Sequence, residues 1–352
     1  MEKIDIKSLS YDELEKLITE QGIQKFRTGQ IYEWLHKKLV TKFDEMTNLS
    51  LDLRNKLSGR FFIVACEPER VQTSKLDGTM KYLFRLYDGN YVESVLMKYH
   101  HGNSVCISSQ VGCRMGCRFC ASTLDGLTRC LEPSEMLDQI YRIQALTGER
   151  VSNVVVMGTG EPMDNYDNLL KFIRMLTDEK GLNISQRNIT VSTCGIVENM
   201  KRLADEKLQI TLALSLHSVT DEKRRNLMPI ANKYSIEELM EACEYYFEKT
   251  GRRITFEYSL VRNVNDLEED AKGLIKLAGR VKAHVNLIPV NPIKERDYKE
   301  TAHPEVVAFK NKLEKSHINV TIRREMGRDI DGACGQLRKK VMDSKSSEDL
   351  GC

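Results

Sequence analysis

The spacing of hydrophobic and polar residues predicts helices at the start of the chain. Over residues 1 to about 50 the apolar positions recur at helical intervals, and Ser10 is placed to cap the first helix. The apolar faces of the two predicted helices contain Leu14, Leu17 and Ile18, and Ile31, Trp34 and Leu35.

From about residue 80 the pattern changes to the alternation of β-strands. An Asp-Gly turn separates two alternating runs between residues 80 and 100, and a short strand follows from Val105 to Ser108. Apolar strands then alternate with amphipathic helices, which predicts a parallel sheet, either doubly wound or closed like a barrel. The predicted strands lie near 153–157, 189–193, 210–216, 254–260, 284–289 and 318–323.

In either architecture, ligands bind at the carboxyl ends of the parallel strands. The segments with candidate chemistry all lie at the ends of predicted strands, where ligand-binding residues are expected. These segments are Gly158 to Asn165, Ser192 to Gly195, Ser215 to Ser218, and Pro289 to Pro292.

The composition of the chain indicates its size and the compartment in which it is expected. The chain has 352 residues, 41% of them hydrophobic, which is enough for a large domain and a smaller one. No apolar stretch approaches the length of a membrane span, and the charged amino terminus lacks the apolar core of a signal peptide, so a cytosolic protein without a membrane partner is expected. The final residues, SKSSEDLGC, have the composition of a disordered tail.

The net charge of +2 neither requires nor excludes a nucleic-acid partner. Basic residues around the first helices suit a phosphate-facing surface but are also ordinary on a solvated helical face, which is the favoured interpretation from the residues alone. They are Lys25, Arg27, Lys37, Lys38 and Lys42.

Cysteine carries the most informative chemistry in the sequence. Ten cysteines in a chain without export signals are better explained by metal binding, catalysis or burial than by disulfides. Cys113, Cys117 and Cys120 lie within eight residues, directly after a strand. Three thiolates leave one iron of a 4Fe-4S cluster open to a substrate, whereas structural zinc requires a fourth ligand, and no second cysteine pair lies nearby.

This CxxxCxxC spacing, with Phe119 before the last cysteine, resembles the signature of radical S-adenosylmethionine (SAM) enzymes. The resemblance implies that the open iron binds SAM and that electron transfer cleaves SAM to a 5′-deoxyadenosyl radical. The segment Gly158 to Pro162 resembles the glycine-rich segment that binds the SAM amino group in that family.

Nearly the whole chain resembles one subfamily, the RlmN-type methyltransferases of carbon 2 of adenosine in 23S ribosomal RNA. The motifs that carry this resemblance occur in the same order and spacing. They are residues 92–95, 106–113, 158–165, 191–193, 215–217, Met228-Pro229, residues 286–292, and residues 329–337.

The resemblance implies an α/β fold with a partial (β/α)6 TIM-like barrel as its radical SAM core. An accessory helical domain that contacts RNA, with its linker, is expected over residues 1–80, the core over 81–340, and a flexible tail over 341–352. It also implies a monomer that methylates adenosine 2503 of 23S rRNA and, in several members, adenosine 37 of transfer RNA.

The same resemblance implies SAM contacts at specific residues. Taken alone, His217 would be a buried core histidine and Asn291 a turn residue before Pro292. The implied SAM-contacting residues are Gly160, Glu161, Ser192, Ser215, Leu216, His217 and Asn291.

Three further residues acquire roles only through the resemblance. Cys334 could otherwise be an inert small hydrophobe, Cys106 a buried structural thiol, and Glu93 a surface strand residue. By resemblance, Cys334 accepts a methyl group from SAM, Glu93 is the base, and Cys106 is the resolving thiol.

Carbon 2 of adenine is electron-poor and cannot attack the SAM methyl group directly. The resemblance implies that two SAM molecules are used per turnover, one to methylate Cys334 and one to generate a radical on that methyl group. After addition to the base, Glu93 removes the carbon-2 proton, and Cys106 attacks Cys334 to form a disulfide and release the RNA. Electrons from a reductase such as flavodoxin then reset the enzyme.

The target adenine must be flipped or single-stranded to expose carbon 2. Basic residues near the cluster and near Cys334 are predicted phosphate contacts, although each is by default a solvated charge. They are Arg114, Arg118, Arg129, Arg323, Arg324 and the run from Arg338 to Lys340.

Two alternatives remain at this stage. A Cfr-type enzyme would methylate carbon 8 of the same adenosine, but that type usually carries Ala at the position of Pro162 and Cys at that of Val111. A non-catalytic iron–sulfur protein that senses redox state or binds RNA would leave Cys334 and Glu93 unexplained.

Overall fold

A computed structural model describes residues 3–100, 102–290, 298–331 and 335–349 of the chain. Helices and strands are numbered in the order in which they occur along the chain. None of the helices in this described part combines the length and the apolar character that a membrane span needs.

The amino-terminal part is helical and has its own core. Ser10 caps the first helix by accepting a hydrogen bond from the Glu13 amide, as the sequence predicts. Leu14, Ile18 and Leu35 are fully buried in a hydrophobic cluster formed within residues 6–61. The elements are β1 (Ile4–Asp5), α1 (Tyr11–Glu20), α2 (Arg27–His36), α3 (Leu51–Arg60) and β2 (Phe61–Phe62).

Side chains from this part reach into the rest of the chain. The buried ammonium of Lys7 pairs with Asp138 at 2.6 Å, and the phenol of Tyr32 donates to Asp178 at 3.1 Å. These contacts join the helical part to a later helix, through Asp138, and to the end of another, through Asp178.

A ten-stranded sheet forms the centre of the described residues, and its first strands are antiparallel. The predicted hairpin is confirmed, with its Asp-Gly turn between two paired strands. The sequence did not predict the edge strand that precedes the hairpin, because its residues are charged and almost all exposed. These strands are β3 (Glu67–Thr73), β4 (Met80–Arg85), β5 (Tyr91–Tyr99) and β6 (Gly102–Cys106).

Beyond β6 a two-stranded ribbon precedes the first crossover helix. The ribbon pairs residues 110–112 with residues 127–130 in antiparallel fashion. Its elements and the helix are β7 (Gln110–Gly112), β8 (Leu127–Cys130) and α4 (Pro133–Thr147).

The rest of the sheet is parallel, and its order runs β6, β9, β10, β11, β12, β13, β14. All six predicted strands of this part are present, each followed in turn by helix. The elements are β9 (Val151–Val156), α5 (Tyr166–Thr177), β10 (Ile189–Thr193), α6 (Val197–Asp205), β11 (Thr211–Ser215), α7 (Asp221–Leu227), α8 (Ile236–Thr250), β12 (Thr255–Leu260), α9 (Glu268–Arg280), β13 (His284–Pro289), α10 (His303–Lys315) and β14 (Asn319–Ile322).

The α/β prediction is confirmed by this alternation. Strands β6 and β9 to β13 with their following helices give the six βα units of a partial barrel, and β14 and β3 form the edges of the sheet in the described residues. Because these strands pair in parallel, their carboxyl ends lie at one edge of the sheet.

The last described element of the chain is a helix, α11, which runs from Gln336 to Asp349 and overlaps the segment 341–352 for which the sequence predicts a flexible tail. Leu337 and Val341, one helical turn apart, pack on Leu83 of β4, and this contact holds the helix on the sheet.

Candidate active site

The loop that carries the three cysteines is held by its own backbone. The Cys113 amide donates to Gly126 O at 2.8 Å, and the Thr123 hydroxyl lies within hydrogen-bond distance of the carbonyls of Cys117 (3.1 Å) and Cys120 (2.9 Å). Gly112 has φ of 76° and faces the Gly126 carbonyl so closely that a Cβ could not fit. The ribbon β7–β8 therefore fixes the start of the loop.

A cavity of about 270 Å³ brings the cysteine loop together with the strand ends. Predicted residues from four segments of the sequence line it, together with Gln336, which is two residues beyond Cys334. The predicted residues in its wall are Cys113, Cys117, Cys120, Gly160, Glu161, Ser192, Ser215 and His217.

The segment after β9 is shaped by Gln110. The Gln110 side chain accepts from the Glu161 amide at 2.8 Å and donates to Asp164 at 2.9 Å. Gly160 has φ of 111°, and a Cβ there would lie 2.6 Å from the Gln110 Cβ, so only glycine allows this close contact. The Glu161 carboxylate accepts from the amides of Met163 (3.0 Å) and Cys194 (2.7 Å), while burial raises its pKa.

His217 lies in the cavity wall with a defined orientation. Its Nδ1 accepts from the Ser259 amide at 2.9 Å, and its ring meets the Phe119 ring edge to face at 4.8 Å. Burial lowers the His217 pKa to about 3, so the imidazole is neutral at physiological pH.

The two predicted serines face each other across neighbouring strands. The hydroxyls of Ser192 and Ser215 are 3.4 Å apart and both line the cavity. Leu216 is completely buried beside them, and its amide donates to Glu257 O at 3.1 Å. Asn291 lies outside the described residues.

Cys113, Cys117 and Cys120 all line the same cavity, an arrangement that suits an iron–sulfur cluster. Each cysteine of a 4Fe-4S cluster binds a different iron, so its thiolates surround a volume instead of meeting at one ion. The cavity between Cys113, Cys117 and Cys120 provides such a volume, with room beside it for a small ligand.

Glu93 is buried, contrary to its interpretation as a surface strand residue. Its carboxylate accepts from the amides of Gly335 (2.6 Å) and Arg338 (2.7 Å), and it pairs with the Lys81 ammonium at 3.0 Å. Cys334 lies outside the described residues, but the next residue in the chain is thus bonded to Glu93.

Cys106 lies on the same face of the sheet as Glu93. In the β4–β5–β6 register Val95 pairs with Lys81 on one side and with Cys106 on the other, and Glu93 is two residues from Val95. Directly paired residues share a face, so Lys81, Glu93 and Cys106 form one group beneath the amino end of α11. The Cys106 thiol is buried, with 5% of the residue exposed.

Comparison with known proteins agrees with this geometry. The sequence profile of the Radical SAM superfamily matches residues 107–278, and that of the "Ribosomal RNA large subunit methyltransferase N-terminal domain" matches residues 4–63. A protein of Lachnospira eligens named "Probable dual-specificity RNA methyltransferase RlmN" is 72% identical over 99% of both chains. The chain belongs to the RlmN family of radical SAM methyltransferases.

Other RlmN relatives and a solved structure give the same result. A protein of Lachnoclostridium phytofermentans with the same name is 62% identical over 99% of this chain and 98% of its own length. The crystal structure of a radical SAM methyltransferase from Sphaerobacter thermophilus is 40% identical, with a TM-score of 0.90 over 95% of this chain and 98% of that chain. Enzymes of the superfamily use a 4Fe-4S cluster and SAM.

The structure of this RlmN-family chain also identifies site residues that sequence reasoning missed. Glu257 lines the cavity from β12, is 5% exposed, and accepts from the Asn286 side chain at 2.9 Å. Its signal in the sequence is a carboxylate inside the apolar run TFEYSL. Arg224 is fully buried and donates to the carbonyls of Cys194 (2.6 Å) and Leu216 (3.2 Å), which ties two strand ends together.

Several of the basic residues predicted to contact phosphates form ion pairs with carboxylates of this RlmN-family chain. Arg129 pairs with Asp88 and Glu135, and Arg114 pairs with Asp164. Arg338 is buried, with 5% of the residue exposed. Lys340 pairs with Asp331, whereas Arg118, Arg323 and Arg324 are exposed and Arg323 also lines the cavity.

Proposed function

We propose that this protein methylates carbon 2 of adenosine 2503 in 23S rRNA, and adenosine 37 of transfer RNA, with Cys334 as the carrier of the new carbon. One observation carries the proposal: the cavity lined by the three thiols is also lined by Gln336, two residues after Cys334. The names of the relatives, which describe dual-specificity RNA methyltransferases, support the choice of substrate.

In this proposal Cys113, Cys117 and Cys120 hold a 4Fe-4S cluster. SAM contacts are proposed for the segments at the strand ends. Bound cluster and SAM together would supply the one-electron chemistry that removes hydrogen from an unreactive methyl group. The proposed SAM-contacting residues are Gly160, Glu161, Ser192, Ser215, Leu216, His217 and Asn291.

The charges in the cavity suit a cationic ligand such as SAM. Glu161 and Glu257 contribute two buried carboxyl groups, and the buried imidazole of His217 stays neutral. A neutral histidine avoids repulsion with a sulfonium ion, while the carboxyl groups can accept hydrogen bonds from an amine.

The group beneath α11 supplies the remaining chemistry. Glu93 accepts the proton lost from carbon 2 of the adenine after the carbon is attached. The Cys106 thiolate then attacks the sulfur of Cys334, which forms a disulfide and releases the RNA-bound carbon with the bonding electron pair, and that carbon takes up a proton to become the methyl group. The one unpaired electron left by radical addition must also be removed, and a bound 4Fe-4S cluster would supply the acceptor. Support for these roles comes from the shared face of Glu93 and Cys106 and from the bond between Glu93 and Gly335.

The RNA is proposed to approach the cavity as a flipped or single-stranded nucleotide. Exposed Arg118, Arg323 and Arg324 are the basic residues that we propose contact its phosphates. The amino-terminal domain, proposed as residues 1–80 with its linker, adds a second RNA contact beside the core over 81–340. A flavodoxin-class reductant is proposed as the electron source for a monomeric enzyme.

The test is a reaction of the anaerobically reconstituted protein with SAM and unmodified 23S rRNA, followed by mass spectrometry of the digested nucleosides. The proposal predicts 5′-deoxyadenosine and adenosine methylated at carbon 2. Methylation only at carbon 8 would assign the chain to the Cfr type. Absence of both SAM cleavage and RNA product in a protein with a full cluster would favour a non-catalytic iron–sulfur protein.

A further inference from the structure

We propose that Lys81 is a positioning residue that holds the loop bearing Cys334, an inference that rests on the proposed function. The Lys81 side chain is completely buried, and its ammonium pairs with Glu93 at 3.0 Å. The same ammonium donates to the backbone carbonyl of Asp331 at 2.5 Å. Lys81 therefore contacts Asp331, which precedes residues 332–334. It also contacts Glu93, which accepts a hydrogen bond from Gly335 on the other side of that segment.

The loop is fixed on both sides of Cys334. Asp331 precedes the segment 332–334 and is held by Lys81, while Gly335 follows it and is held by Glu93 at 2.6 Å. The backbone amide of Arg338, in the first turn of α11, donates a second hydrogen bond to Glu93 at 2.7 Å. The described residues on both sides of 332–334 are therefore held by hydrogen bonds that involve Lys81 or Glu93.

A second contact fixes Asp331 from the opposite side. Its amide donates to the Gln72 side chain at 3.1 Å, and its carboxylate accepts from Gln72 at 3.0 Å and pairs with Lys340. Asp331 is thus held by Gln72 and Lys340 as well as by Lys81. Lys81 connects these residues to Glu93.

A buried ion pair is a weak source of net stability, because the cost of removing both charges from water offsets their attraction. Lys81 and Glu93 are 0% and 4% exposed as side chains, so this cost applies to both. An apolar residue at position 81 would fill the space against Leu83 and Val95 but would hold neither Asp331 nor Glu93. The pair is therefore better explained by the position it imposes on the loop.

Positioning at this site affects chemistry steeply. A displacement of about 1 Å between reacting groups can reduce a rate by about 10²-fold. Lys81 is not among the residues lining the cavity, so we expect its removal to leave cluster and SAM binding intact. The expected result of losing Lys81 is intact cluster and SAM binding with poor transfer through Cys334.

Lys7 provides a matched control. It forms an equally buried ion pair, with Asp138 at 2.6 Å and side-chain exposures of 1% and 2%. This pair joins the amino-terminal part to α4 and has no contact with the Cys334 loop among its hydrogen bonds. Loss of Lys7 therefore reproduces the general cost of removing a buried lysine.

The experiment compares wild type, Lys81→Met and Lys7→Met as cluster-loaded full-length proteins. Hydrogen exchange of the Gly335 and Arg338 amides is measured first, and we expect Lys81→Met to accelerate it by about tenfold or more. Kinetics with RNA and SAM follow, with kcat lowered by about 10²-fold and the KM for SAM changed by less than about twofold. Lys7→Met should leave both the exchange of these two amides and kcat close to wild type.

Unchanged amide exchange and kcat in Lys81→Met would overturn the inference, as would the same changes in Lys7→Met. If Lys81→Met does not fold, Lys81→Gln replaces it, since the amide keeps a donor for Asp331 but removes the charge that pairs with Glu93. A wild-type protein that cleaves no SAM and methylates no RNA would refute the proposed function. The exchange measurement would still test whether Lys81 holds Asp331 and Glu93 in place.

Discussion

The carboxylate of Glu93 accepts a hydrogen bond of 2.6 Å from the amide of Gly335, a residue 242 positions further along the chain. This bond joins the central strand of the antiparallel part to the loop that follows Cys334. It places the proposed base next to the residue that follows the proposed carbon carrier in the chain. The contact depends on the packing of α11 against β4, because Leu337 and Val341 bury Leu83 beside it.

Glu93→Gln is expected to slow RNA methylation by about 10²-fold or more, because an amide cannot accept the carbon-2 proton. The proton loss precedes release, so a covalent protein–RNA adduct should accumulate. Denaturing gel electrophoresis of the reaction with labelled RNA detects that adduct directly.

Glu135→Gln is the control for this variant. Glu135 is also a fully buried carboxylate, and it pairs with Arg129 at 2.7 Å. Its amide variant should reduce stability without accumulating adduct. Rapid release of methylated RNA by Glu93→Gln would contradict the role of Glu93 as the base.

Cys106→Ala is expected to accumulate the same adduct, because no thiol remains to attack the Cys334 sulfur. Cys243→Ala supplies the control, since Cys243 is completely buried in α8 and lies in the hydrophobic core. Gel analysis of both variants should show adduct in the first only. Normal turnover by Cys106→Ala would exclude Cys106 as the resolving thiol.

The sequence predicted the parallel half of the fold well and the environment of Glu93 poorly. Strands such as Ile189–Thr193 were predictable because apolar β-branched runs are bounded by turn residues. The burial of Glu93 was not, since it is covered by α11, whose residues lie more than two hundred positions away. Local periodicity carries no information about such a contact.

The same limit applies to β3 and to the end of the chain. The exposed, charged residues of β3 pair with β4 through their backbone, so side-chain pattern gave no signal. Helix α11 has polar residues through most of its length. Its two anchoring side chains, Leu337 and Val341, pack on Leu83, a contact that the local sequence pattern does not predict. The cysteine triad was predictable because Cys113, Cys117 and Cys120 lie within eight residues of the sequence.

Cys117→Ser is expected to remove most of the bound iron, because three thiolates hold the proposed cluster. Cys194→Ser is the matched control: Cys194 lines the same cavity but is not part of the triad. Iron content and the visible absorption of anaerobically reconstituted proteins distinguish the two. Equal loss of iron in both variants would indicate that Cys194 is also a ligand.

Arg224→Met is expected to lower the free energy of unfolding by about 3 kcal/mol, because it removes charge-assisted hydrogen bonds to buried carbonyls. The carbonyls concerned include those of Cys194, Ser215 and Leu216. Urea unfolding followed by circular dichroism measures the change.

Arg280→Met gives the comparison for this stability prediction. Arg280 forms ion pairs with Glu237 and Glu244, but its side chain is 32% exposed, so its loss should cost less than about 1 kcal/mol. Equal destabilisation by the two variants would contradict a special role for the buried guanidinium of Arg224.

The methylation state of Cys334 tests the central claim most directly. Wild-type protein purified without oxygen from cells that supply SAM should carry one methyl group on the peptide containing Cys334, detected by intact mass and peptide mass spectrometry. Cys334→Ala should lack that methyl group and should form no RNA methylated at carbon 2. An RNA product from Cys334→Ala, or an active wild-type enzyme whose Cys334 is never methylated, would contradict the account.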